Sequence, residues 1–251
     1  MNLMNFPFVV LLLSFLVLTL SSLAGDYLRR RKGSVDSGSQ EDFNTVVGAT
    51  LTLLGLIIGF SFSMAIGRYD QRKNYEEEEA NAIGTEYLRA DLLPAESAAK
   101  VHVLLKKYVD QRLLFYTTRD PLLLAKVNAD TADLQNQLWS AILQGRGQDT
   151  PVYAIVVSGM NDVLNTQGYT QAAWWNRIPI AAWTFMALIA IGCSYLIGLG
   201  MHSTGRRIFL VIPVVVSLAF FMIADIDSPR GGAIRVKPQN LISLQQSLPS
   251  Q

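Results

Sequence analysis

The chain has 251 residues, half of them apolar, and a mean hydropathy of +0.26. A net charge of +1 gives nucleic acid no basic surface to bind. The single cysteine, Cys193, excludes an internal disulfide and a Cys-rich zinc site, and His102 and His202 lack metal-ligand spacing.

The apolar residues gather into blocks, and a bilayer is crossed by roughly 20 of them in a helix. Residues 1–25 hold the first, uncharged from Phe6 to Ala24. Ser22, Leu23 and Ala24 resemble a signal-peptidase site. However, the opening MNLMN has no Lys or Arg, and Arg29, Arg30, Arg31 and Lys32 follow the apolar run, as in an uncleaved anchor. Residues 26–42 read as a short basic cytoplasmic loop with a polar link at 33–40. Residues 43–66 form the second span. No proline occurs between Phe43 and Pro94. This predicts a single helix through that stretch, roughly 75 Å long at 1.5 Å per residue.

Residues 67–177 are expected to form a helical extramembrane domain, because a structureless loop of that length would be unusual. Val101, Leu104, Leu105, Tyr108 and Phe115 share one helical stripe. Asp120 and Pro121 read as N-cap and first helical residue, and Val127, Leu134, Leu138 and Ile142 follow on one face before Gly145 and Gly147. Thr150 and Pro151 repeat the start signal, ahead of a stripe at Val152, Ile155, Val156, Met160 and Val163. Residues 178–201 make the third span, with Trp174, Trp175 and Trp183 placed as an interfacial belt. Residues 202–207 form a short basic loop carrying Arg206 and Arg207. Residues 208–225 form the fourth and shortest span, and 226–251 a C-terminal tail. The fold class is therefore all-α: a polytopic membrane protein with four transmembrane helices and an inserted helical extramembrane domain. Both short basic loops would face the cytoplasm, placing the helical domain and both termini on the other side.

Three features stand out as candidate sites. Gly48, Thr52, Gly55, Gly59, Ser63 and Gly67 fall three or four apart on one face of span two. Such a face either lets helices pack closely, within or between chains, or lines a pore. Phe60 and Phe62, interleaved with Ser61 and Ser63, would then supply a constriction. Next, Glu76, Glu77, Glu78 and Glu79 surround a helix just beyond the membrane, after Arg68, Asp70, Arg72 and Lys73. They read either as a solvated surface or as a charged ring that gathers cations such as calcium. Third, Asp225 and Asp227 close span four. They read either as a helix end neutralised by Arg230 or Arg68, or as an ion or gating site; they would converge only if the helix unwinds before Pro229. No P-loop, GxSxG, HExxH or Cys/His pair is present, so an enzyme is not expected.

The stretch GFSFSMAIGRYDQRKNYEEEEANAIGTEYLRADLLP resembles the hallmark segment of the bestrophin-like bacterial membrane proteins. Its motif residues here include Arg68, Asp70, Arg72, Asn81, Arg89 and Asp91. DIDSPRGGAIRV, with Arg230, is similar to the family's second motif, and Tyr108 to Arg112 to a weaker third. The resemblance implies a bacterial inner-membrane location and a homo-oligomer, a pentamer in bestrophins, which are anion channels with a Phe/Ile-lined neck and a calcium-sensing acidic clasp. Phe60 and Phe62 would play the neck; Glu76 to Glu79 with Asp225 and Asp227 would play the clasp. Bestrophins place their bulk in the cytosol, against the orientation read from charge, and an acidic mouth suits cations better than chloride. No cofactor is implied beyond a bound cation. The expected partners are the lipid bilayer, further copies of the chain and inorganic ions. The leading reading is an ion channel or ion-gated pore of unassigned selectivity. The alternative is a non-conducting scaffold or sensor whose helical domain binds a partner or ion.

Overall fold

The computed structural model describes residues 3–32, 40–144, 151–200 and 210–249. The link at 33–39, Gly145, Gly147, Thr150 and the whole of the expected basic loop, with His202, Arg206 and Arg207, lie outside them. Among the described residues the chain is helical and has no strand. The helices are α1 (Pro7–Lys32), α2 (Gln40–Arg89), α3 (Ala95–Thr117), α4 (Pro121–Gln144), α5 (Pro151–Trp175), α6 (Ile180–Gly200), α7 (Val211–Asp227) and α8 (Gln239–Ser247).

Several boundaries follow from local chemistry. α2 runs for 50 residues without a break, then tightens into a 3-10 turn at Ala90–Leu92. It stops there because Leu93 precedes Pro94 and is extended, with ψ 161°. Asp120 starts α4 as expected: its carboxylate accepts the Leu122 N–H at 2.9 Å. Ser228, before Pro229, is likewise extended and ends α7. The expected loop at 26–42 is helical at both its ends, because α1 continues to Lys32 and α2 begins at Gln40. Asp26 extends α1 by bonding Arg29 and Arg30 one turn on, at 2.7 and 2.9 Å.

The chain divides into two compact units. The first comprises Met1–Arg68 and Arg177–Arg235; the second comprises Tyr69–Asn176 and Val236–Gln251. α2 contributes residues to both. Of the expected C-terminal tail at 226–251, the residues up to Arg235 belong to the first unit and those from Val236 to the second, where Leu241 is fully buried.

In the first unit α1 packs against α6 and α7. Small residues set the approach. A Cβ on Gly198 would run into the Ser22 carbonyl, and one on Gly25 into the Tyr195 carbonyl. Ser21 bonds across the same seam to the Ile191 carbonyl at 2.9 Å. This is how helices hold together in lipid, where apolar burial drives little. Among the described residues three helical stretches are long and apolar enough to cross a membrane: Pro7–Arg31, Gln40–Leu92 and Pro151–Gly200. Less than a third of each apolar window is buried inside the chain. The remaining apolar surface needs lipid or other chains. The described part of α7, at 17 residues, is shorter than these three stretches.

The second unit is a water-type core. Val101, Leu105, Tyr108, Phe115, Leu138, Met160 and Val163 are fully buried, so the stripes of α3 and α4 point inward as their spacing predicts. On α5 the expected stripe shifts: Val156, Met160 and Val163 are buried, but Val152 and Ile155 are exposed. The expected tryptophan belt is also corrected. Trp174 lies in the core, 4.9 Å from the Phe115 ring and 5.4 Å from Tyr116, and Trp183 is buried against Phe220. Only Trp175 of the three is exposed.

The Gly198 crossing gives a direct test. Gly198→Val should destabilise the protein by roughly 1–3 kcal/mol through overpacking. Gly192→Ala, on the same helix but with nothing within 4 Å of its Cβ, should be tolerated. Thermal unfolding of both variants in detergent distinguishes the two; equal melting temperatures would remove the crossing from the packing argument.

Candidate functional site

The polar residues of α2 beyond the first unit fall into two sets. Arg72, Glu76, Glu79 and Glu86 recur three, four or seven apart and are all buried; Ile83 and Ala90 continue the same line. Asp70, Glu77, Glu78 and Asn81 face outward. The run of four glutamates is thus split in half by helical periodicity.

Each of the first three buried groups on that line meets a defined partner. Arg72 donates to the carbonyls of Ala173 and Asn176, both at 3.1 Å. These are orphan acceptors at the end of α5, and a guanidinium there also meets the negative pole of that helix. Glu76 does the reverse at α8. Its carboxylate accepts the Leu241 N–H at 3.0 Å and the Asn240 side-chain amide at 2.7 Å. Burial pushes the Glu76 carboxyl above its ordinary range, and those donors pull against the shift.

Glu79 is the centre of the unit. Its carboxylate takes a very short bond from Arg112 Nε and a longer one, 3.4 Å, from Nη2. Tyr116 and Thr170 hydroxyls donate to Oε2 at 3.1 and 3.3 Å. Both ends of the pair are completely buried. The guanidinium also stands 4.4 Å over the Phe115 ring, which offers its negative face. Burial works against the charge on Arg112, but the Glu79 carboxylate outweighs it and holds the guanidinium more basic than usual. The Tyr116 hydroxyl is pushed up, first by burial and then by the same carboxylate.

The Asp225 and Asp227 motif is equally occupied, within the first unit. α7 stays helical through both residues, so the carboxylates diverge rather than converge. Asp225 accepts the N–H groups of Ala233 and Ile234 at 2.7 and 2.8 Å, fixing the turn that follows Pro229. A Cβ on Gly232 would meet the Asp225 carbonyl, which explains a glycine there. Asp227 accepts the Ile178 N–H on both oxygens at 3.2 Å, just ahead of α6. Arg68 stands 3.7 Å from it and Arg177 4.0 Å. Arg177 also bonds the Asn5 side chain and the Asp227 carbonyl. Asp227 is therefore neutralised at a helix end, in part by Arg68 as the sequence allows.

The remaining sequence candidates are placed as follows. Gly48, Thr52, Gly55, Gly59, Ser63 and Gly67 are all exposed, and nothing lies within 4 Å of a Cβ built on any of the four glycines. Among the described residues no packing uses this face; α2 instead buries Leu54, Ser61 and Ala65 on the other side. Phe60 is 63 % exposed and Phe62 half-buried, and they flank the open face on opposite edges. Arg89 lies beside Gly159. Exposed Asp91 is 3.4 Å from His102, whose Nε2 also lies 2.9 Å from the Tyr87 carbonyl. Arg230 is half-buried. No group of three or more His, Cys, Asp or Glu converges to hold a metal ion among the described residues.

Sequence reasoning left Arg112, Tyr116 and Thr170 out of the site. One signal was available: Arg112 sits between Tyr108 and Phe115 on the apolar stripe of α3, where an unpaired charge would be intolerable. Removing one partner tests the pair. Arg112→Met or Glu79→Gln alone should cost roughly 3–5 kcal/mol, because each leaves a buried charge uncompensated, while the double variant recovers much of the loss. A double-mutant cycle on urea or thermal unfolding measures the coupling; additive losses would show that the pair does not act as a unit.

Comparison with known proteins fits this geometry. The profile of the bestrophin-like domain matches residues 14–241. No curated protein matches the chain in sequence. Among solved structures, a bacterial bestrophin homolog from Klebsiella pneumoniae determined by Zn-SAD phasing is 15% identical, with a TM-score of 0.63, over 96% of this chain and 98% of that one. Two single-substitution variants of that homolog are 13% and 14% identical. Their TM-scores are 0.64 and 0.65, with coverage of 96% and 95% of this chain and 97% and 95% of theirs. At such identity the likeness establishes the fold, while the domain match extends over most of the sequence: the chain belongs to the bestrophin-like family.

Proposed function

We propose that the chain is one subunit of a homo-oligomeric ion-conducting pore, with the small-residue face of α2 turned toward the subunit seam or the axial path. The observation that carries this is the open face itself. Gly48, Gly55, Gly59 and Gly67 meet nothing within 4 Å, although they lie on a helix apolar enough to span the membrane. A face of small residues is costly to leave against lipid tails, because it forfeits the contacts a larger side chain would make. It suits close approach of another helix or a column of water and ions. In this reading α7 is the fourth span, and the bestrophin fold supports a ring of like chains, a pentamer by analogy.

Selectivity falls to the groups left free. Glu76 and Glu79 are buried in helix-end and ion-pair contacts. That leaves Glu77 and Glu78 as the members of the acidic run able to meet permeating ions or a divalent cation such as calcium. The orientation read from the basic residues puts 67–177 outside the cytoplasm of a bacterial inner membrane; labelling of a cysteine in the 33–39 link from the outer side would overturn it.

Purified protein in planar bilayers tests the whole reading. Current is expected, and Gly59→Leu should lower unitary conductance several-fold by filling the open face. Glu77→Gln with Glu78→Gln should shift the reversal potential in a salt gradient. An unchanged potential would remove these carboxylates from the permeation path. No current across a range of salts, pH and calcium would favour the other reading, a non-conducting membrane scaffold.

A further inference from the structure

Glu86 is the one member of the buried α2 line for which no partner has been described. It is fully buried, yet neither carboxylate oxygen accepts a hydrogen bond from the described residues. The side chain lies against α5 at Gly159, where a Cβ would overlap Glu86 Oε2 and the Arg89 guanidinium. Only glycine leaves room there. Two charged groups act on the carboxyl: Arg89, one turn on along α2, and Asp162 on α5, one turn from Gly159. Arg89 stands close but makes no ion pair with it. The neighbouring Tyr87 is taken up by its stack on His102, with ring centroids 4.1 Å apart, so the His102 and Asp91 pair does not serve Glu86.

We propose that Glu86 is a proton-binding site, and that its proton governs how tightly α2 packs against α5. A neutral carboxyl can sit in this slot without a counter-charge. A carboxylate there would hold a full negative charge with no donor on either oxygen, beside a second acid. It is relieved only if Arg89 swings in or water enters, and either change loosens the contact at Gly159. Burial, more than the repulsion from Asp162, raises the carboxyl to about 8, with Arg89 pulling the other way. The sign follows by linkage. The folded state holds its proton well above the unfolded value of about 4.3. The stabilisation is complete below that value and is lost progressively as pH rises toward about 8.

Infrared spectra of the full-length protein in detergent, titrated through about pH 8, read the C=O stretch of protonated carboxyls directly. The wild type should lose a band on the alkaline side that Glu86→Gln lacks, and the melting temperature of Glu86→Gln should exceed that of the wild type at alkaline pH. Asp162→Asn should move the midpoint down, since the carboxylate then faces less repulsion. Arg89→Gln should move it up. These two variants keep the test intact should Glu86→Gln fold poorly. A wild-type band that persists in Glu86→Gln, a titration in the range of exposed carboxylates, or one midpoint shared by Asp162→Asn, Arg89→Gln and the wild type would each overturn the assignment.

Discussion

The pairing of Glu79 with Arg112 is the constraint on which the second unit depends. Both groups are fully buried, and either alone would be an isolated charge in a medium that solvates it poorly. Their requirement for each other fixes the register of α2 against α3. Tyr116, Phe115 and Thr170 complete the cage, and Thr170 brings α5 to the same point. Once α2 is held in that register, its neighbours on the same line fall opposite helix ends. Arg72 reaches the last carbonyls of α5, and Glu76 the first amides of α8. One stripe on one helix therefore ties α3, α5 and α8 through charge-assisted bonds, each stronger than a neutral one.

The two units are held by different physics, and α2 takes part in both. In the second unit, apolar stripes close against water, and the buried polar groups specify which helix meets which. In the first, the apolar side chains gain little by turning from lipid to each other. Packing rests there on glycines and serines that allow backbone contact, as at Gly25, Gly198 and Ser21. The same residue type has the opposite meaning on α2. There the glycines meet no neighbour among the described residues, so nothing in the described packing accounts for them.

Much of this was legible in the sequence, for physical reasons that also mark where legibility ends. Periodicity revealed the inward faces of α3 and α4, because those helices bury one stripe against water. The length of α2 followed from the absence of proline up to Pro94, and the start of α4 from Asp120 and Pro121. The reading failed where a partner far along the chain decided the outcome. Trp174 looked interfacial from its position beside a span, but an aromatic pocket formed by Phe115 and Tyr116 claims it. The C-terminal residues looked like a tail, because nothing local shows that Glu76, more than 160 positions earlier, caps the start of α8. The acidic run looked like one feature, and only the burial of every third or fourth position divides it.

That division bears on what a family motif records. The resembling motifs include Arg68, Arg72, Glu79 and the Asp225 to Val236 segment. These are the groups that the structure uses to join elements: Arg68 with Asp227, Arg72 with the end of α5, Glu79 with Arg112, Asp225 with the turn at Ala233. These groups are committed to joining elements of the fold. Buried residues of this kind carry the fold from one protein to the next, while the exposed residues of the same segment are left free to differ. In this chain the exposed ones are the face from Gly48 to Gly67, flanked by Phe60 and Phe62, and the outward carboxylates of Glu77 and Glu78. Relatives that agree in the buried line of α2 and differ on its open side would share a structure and differ in the surface that this side of the helix offers.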